Sequence, residues 1–252
     1  MTREERKFTI AKKTLERWKK YLEGEDNYQQ GSNLPTHSIL AQIQGMVDKD
    51  FIFRAFNDAV KKMSDRKDFK EYFSSNEYLI NIMKDWYFSS QCLYIRCLTD
   101  TKSDSCSLMA LLKNIQASKC NISRDLFCKF HENDSYAADA SFDILSGTRL
   151  ERGIKNDKIS KEYVESLIAR LEIEPIEVVR SYVDLMVAHS DFKKPELYPS
   201  MALIKECHEA IVGVFKEVSL NFFPTADNLF GEVTLNKEQV LINADKPFLN
   251  FT

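Results

Sequence analysis

The sequence predicts an all-α protein: a helical bundle with an N-terminal helical extension and a short C-terminal tail that could form a β-hairpin. Three observations carry that expectation. Gly and Pro together supply only 13 of 252 residues, a scarcity that favours long helices over a β-sandwich or a Rossmann-type fold. Apolar residues, 44% of the chain, recur at three- and four-residue steps. Residues suited to helix starts, among them Thr36, Ser160 and Pro175, open several of these runs. The length suits one large domain with terminal additions. These are a basic helix and loop over 1–35, the bundle over 36–222, and the tail over 223–252.

The opening segment, Thr2 to about Leu22, carries eight Lys or Arg against three Glu in its first twenty residues. Its apolar positions Phe8, Ile10, Ala11, Leu15, Trp18 and Leu22 keep helical steps. Its basic face could meet RNA phosphates or be solvated. After a polar loop, Gly24 to Pro35, a long helix capped by Thr36 carries Ile39, Ile43, Met46, Val47, Phe51, Phe56, Val60 and Met63. A third helix is expected over Glu77 to Leu98, with Ile82, Trp86, Leu93 and Cys97 along its inward stripe. A fourth starts near Ser105 and carries Leu108, Leu111, Leu112 and Ile115. Residues Asn121 to Asp157 read as the least regular stretch, with the run His131 to Ser135 and the segment Gly147 to Asp157 as exposed connections. Helix returns after Ser160 with Tyr163, Val164, Leu167, Ile168 and Leu171. Pro175, between Glu174 and Glu177, opens the next helix in the way the helix dipole favours; it runs to about His189. The last helix spans Ser200 to Leu220. Stripes of this kind in series must bury one another, which makes a bundle.

Several function classes drop out. A net charge of −3 gives no global positive field for nucleic acid. No apolar run reaches the roughly 20 residues needed to cross a bilayer, so no membrane partner is expected. The basic start lacks the apolar core of a signal peptide, and the six cysteines read as reduced thiols in a cytosol. None of Cys92, Cys97, Cys106, Cys120, Cys128 and Cys207 makes a C-x-x-C pair, so they read as small buried apolar residues. The four histidines are scattered. With no phosphate-binding loop, no dinucleotide fingerprint and no nucleophile elbow, neither a metal nor another cofactor is expected.

One helix end stands apart: Val179-Arg-Ser-Tyr-Val-Asp-Leu-Met-Val-Ala-His189-Ser-Asp191. It resembles the signature segment of the HEPN superfamily. A second stretch, Tyr94-Ile-Arg96-Cys-Leu-Thr-Asp100 followed by Ser105-Cys-Ser-Leu108, resembles the abortive-infection (AbiU-like) branch of that superfamily. The resemblance covers roughly Thr36 to Leu220 and implies a bundle of four or five helices. It also implies a homodimer, a role related to toxins or phage defence, and in many members a metal-independent ribonuclease. The family's motif has an Arg five to seven residues before the His, and the chemistry asks for a base at the ribose 2′-hydroxyl and a cation for the transition state. Here those positions are Asp184, Val183 and Tyr182. Arg180, nine residues back, is turned to roughly the opposite side of the helix.

The candidate site residues are therefore His189 as base, Tyr182 as a helper, Arg96 or Arg180 as the cation, and Asp184 and Asp100 beside them. Arg96 and Asp100 also form an i,i+4 pair, which suits a structural ion pair. A His at a helix C-terminus can serve as a cap. Three expectations follow. The first is a dimeric HEPN-like protein that binds RNA or a protein partner, its usual catalytic Arg missing. The second is an active endoribonuclease using His189. The third is a helical scaffold whose basic first helix docks on an acidic partner.

Overall fold

The computed structural model describes residues 2–24, 38–63, 77–118, 122–132, 135–148, 156–188 and 197–224. Among them are nine α-helices: α1 (Arg3–Glu23), α2 (Ile39–Met63), α3 (Glu77–Leu98), α4 (Leu108–Ser118), α5 (Arg124–Phe130), α6 (Ser135–Ser146), α7 (Lys161–Ala169), α8 (Glu174–Tyr182) and α9 (Met201–Phe222). A stretch of π-helix, Val183–Ala188, extends α8. The β structure of the described residues is one isolated antiparallel bridge, Ser123 to Lys158. The all-α expectation is met. The expected hairpin (from residue 225 onward) and the Thr36 cap lie outside the described residues.

Local chemistry starts most of these helices. In α1 the Thr2 hydroxyl accepts from the Glu5 N–H at 3.2 Å while the Glu5 carboxylate accepts from the Thr2 N–H at 2.6 Å, a reciprocal capping box. Ser38 caps α2, accepting from the Ala41 N–H at 3.0 Å. Ser160 caps α7 through the Tyr163 N–H at 3.1 Å, as its position predicts, and Ser200 caps α9 through Leu203 at 3.2 Å. Pro175 sits in the first turn of α8 with Glu174 and Glu177 beside it, where its missing N–H costs nothing.

Helix α1 is part of the core. Ala11, Leu15, Trp18 and Leu22 are fully buried in the same cluster as Ile39, Ile43 and Met46 of α2, and Trp18 meets Phe222 of α9 edge-on at 5.8 Å. Helix α1 packs on α2, α4 and α5, while α3 packs on α2, α8 and α9. Gly45 lets α2 and α3 approach closely, since a Cβ there would lie 2.5 Å from the Tyr94 hydroxyl. All four apolar residues expected to anchor α4, Leu108, Leu111, Leu112 and Ile115, are buried.

Two expectations fail. Most of the first two-thirds of the stretch expected to be the least regular folds into α5 and α6. His131 there is buried, its Nε2 is 3.2 Å from the Phe222 carbonyl, and Phe127 and Phe130 pack around its ring. Arg124 holds this region together: it donates to Asp139 and Asp143 at 2.6 Å each, and to Thr148 and the Asn156 carbonyl. The second failure concerns α3. Its expected inward stripe faces out, with Ile82, Trp86 and Leu93 at 43, 44 and 42% exposure and Cys97 exposed as well. The buried face is Tyr87, Gln91, Cys92, Ile95 and Leu98. Both faces are apolar at helical spacing, and they lie nearly opposite each other, so periodicity alone selects neither.

Candidate functional site

Three of the six candidate residues come together. Arg96, in the last turn of α3, donates from Nε to Asp184 Oδ1 at 2.8 Å, across 88 residues of sequence. Its Nη1 lies 3.5 Å from Asp100 Oδ1. Asp184 stands at the start of the π-helical stretch, and Asp100 follows the end of α3, where it also accepts from the Lys102 N–H at 3.2 Å. The Asp184 hydrogen bond raises the Arg96 pKa, with burial opposing it and Asp100 adding to it, so the guanidinium stays charged. The i,i+4 pair expected for Arg96 and Asp100 is present, with Asp100 just past the helix end, and the contact to Asp184 is the tighter of the two.

The other candidates have separate settings. Tyr182 is half-buried against Phe88 and Tyr198, with ring centroids 5.6 and 6.1 Å away, and burial raises its phenol pKa. It is a packing residue in a protonated state. Arg180 pairs with Glu177 on its own helix at 2.6 Å, consistent with its position nine residues before the histidine. His189 lies outside the described residues. Helix α8 does not remain α-helical to that point: from Val183 its hydrogen bonding widens to the π form, a deviation found frequently at functional sites.

Beside this trio is a cavity of about 450 Å³, whose lining includes Gln42, Lys49, Leu93, Tyr94, Cys97 and Asp100. Gln42 donates to the Cys106 carbonyl at 2.6 Å, while its Oε1 is buried without a partner. The Lys49 ammonium lies 4.6 Å from the Tyr94 ring centroid and 5.4 Å from that of Trp86, favourable cation–π placements. The outward face of α3 thus presents Ile82, Trp86 and Leu93, interrupted by Ser89 and bordered by Lys49 on one side and the Arg96 trio at its end.

Sequence reasoning missed a second polar cluster. Tyr87 donates to Asp50 at 2.7 Å, Arg54 pairs with Asp50 at 2.8 Å, and Phe53 stacks on Tyr87 with centroids 4.0 Å apart. Burial and then the Asp50 contact raise the Tyr87 pKa. On α9 the His208 Nε2 is buried with no partner, and burial lowers its pKa below 6.5. An Asp-Arg i,i+4 pair was the available signal. The tyrosine joins it from α3, and His208 on α9 feels the charges of Asp50 and Arg54, neither of which a local pattern reveals. The cysteines divide likewise: Cys92 and Cys207 are buried, with thiol pKa values pushed up to about 12, whereas Cys97 is exposed. Among the described residues no group of three or more His, Cys, Asp or Glu side chains is placed to hold a metal ion, and no helix is long and apolar enough to cross a membrane.

No family model, curated protein or solved structure matches the chain.

Proposed function

We propose that this chain is a HEPN-like helical protein of the abortive-infection type, which dimerises and binds RNA or a protein partner without the superfamily's arginine–histidine cleavage chemistry. The observation that carries this reading is the charge balance at Arg96. One guanidinium faces two carboxylates, Asp184 at 2.8 Å and Asp100 at 3.5 Å, so the trio is net negative. An incoming phosphate meets repulsion there, and electrostatic support of a transition state requires a cation aimed at the developing charge. Tyr182, turned into its aromatic neighbours, adds no base. The outward stripe of α3 supports the dimer, because contiguous exposed apolar surface is characteristic of interaction sites. A two-fold contact through one helix face is self-complementary.

One contact favours a second reading, an active metal-independent endoribonuclease. Asp184 is the residue five before His189, where the superfamily carries its Arg, and α3 delivers the Arg96 guanidinium to it. In that reading Asp184 anchors the cation and His189 is the base. Incubating labelled single-stranded RNA with the protein in EDTA separates the two. The leading reading expects no cleavage above that of a His189→Ala variant. Cleavage lost in both His189→Ala and Arg96→Ala would establish the second reading and refute the first.

A further inference from the structure

The solvent-facing half of α1 is divided by charge. Arg3, Arg6, Lys13, Arg17 and Lys20 are all exposed and share one register with the half-exposed Ile10. At 3.6 residues per turn they fall within about a third of the helix circumference and extend about 25 Å along its axis. Glu5, Glu16 and Glu23 lie on the adjoining flank. There Glu16 and Glu23 take Lys12 and Lys19 at 3.9 and 3.7 Å, while on the opposite flank Glu4 takes Lys7 at 3.0 Å. Intrahelical pairing thus borders the stripe on both sides and leaves its centre out. Among the described residues Arg3, Arg6, Lys13 and Arg17 engage no carboxylate.

We infer that this stripe docks the phosphate backbone of a single-stranded nucleic acid. Two runs of cations, Arg3–Arg6 and Lys13–Arg17–Lys20, have neighbours about 5–6 Å apart within each run and a gap of about 10 Å across Ile10, which matches a flexible polymer charged along its whole length. A convex helix face offers no pocket to enclose a single small anion. An acidic bilayer is a poorer fit. A surface-lying helix inserts an apolar face, but that of α1 (Ala11, Leu15, Trp18 and Leu22) is fully buried in the protein core. A duplex is also a poorer fit, since its phosphates wind around an axis while the stripe is straight; a single strand adapts its path. The stripe carries no aromatic residue for base stacking, so the contact is indifferent to sequence and sugar. This inference rests on α1 alone and stands or falls separately from the role of α3.

Fluorescence anisotropy of the full chain with labelled oligo-U and oligo-dT tests it. Both strands bind equally, and a footprint of four phosphates gives a log–log salt slope of about −3, an affinity loss of about 50-fold between 50 and 200 mM salt. Replacing Lys13 and Arg17 together by Gln reduces the slope magnitude by about 1.4. Replacing Lys12 and Lys19 by Gln, on a paired flank, changes neither affinity nor slope. Unchanged melting temperatures in both double variants show that binding, not folding, is measured. No binding at 50 mM salt, an unaltered slope in the Lys13→Gln/Arg17→Gln variant, tighter binding to duplex RNA, or binding only to phosphatidylserine vesicles would each overturn the inference.

Discussion

Arg124 and Arg96 are each set against two carboxylates, yet the regions they serve differ. Arg124 is only 12% exposed, makes both Asp contacts at 2.6 Å and adds Thr148 and the Asn156 carbonyl. Burial works against its charge, and the Asp139 and Asp143 hydrogen bonds more than offset it. Arg96 is 22% exposed, and its tighter partner, Asp184, is 52% exposed. The first is a clamp that ties α5 to α6 and the chain that follows; the second is an ion pair at a surface beside an apolar helix face. The same composition of charges therefore closes a region in one place and stays at the surface in the other.

The comparison is sharpened first by two tryptophans. Trp18 is fully buried, and Trp18→Ala is expected to cost about 3–5 kcal/mol in urea unfolding. Trp86→Ala on the outward face of α3 should stay within about 0.5 kcal/mol. Equal losses would mean that the α3 stripe is packed. The arginines come next. Arg124→Ala removes the shared cation of Asp139 and Asp143 and should cost about 3 kcal/mol, whereas Arg96→Ala should cost less than about 1 kcal/mol, as exposed pairs do. A larger loss at Arg96 would make it a clamp too.

A smaller effect concerns pH. Burial places the His208 pKa below its ordinary 6.5, so the unfolded chain binds the proton more readily. The contribution of neutral His208 is complete above about pH 6.5 and is lost as pH falls below it. His208→Gln is expected to flatten the decline of stability between about pH 7 and pH 5. An unchanged decline would assign it to other groups.

Helix positions were legible in the sequence because caps and periodicity are local. Ser160, Pro175 and the α4 leucines behave as their spacing predicts. The orientation of α3 was not legible, since Ile82–Trp86–Leu93 and Tyr87–Ile95–Leu98 make equally good stripes. What selects between them is tertiary: Tyr87 finds Asp50 and Phe53 on α2, and Cys92 finds the core. Helices α5 and α6 were missed because their polar content, read locally, resembles loop. Arg124 and the buried His131 acquire partners only when distant segments meet. For the candidate site, the sequence identified the Arg96–Asp100 pair and Asp184 apart from it, and the contact across 88 residues joins them.

The most direct test of the claim that the α3 face is a working surface is sedimentation velocity of the full chain alongside Trp86→Glu. The account predicts a dimer that becomes a monomer in the variant, with its helical content by circular dichroism unchanged. A wild-type chain that stays monomeric at every concentration, or a dimer indifferent to the substitution, would contradict it.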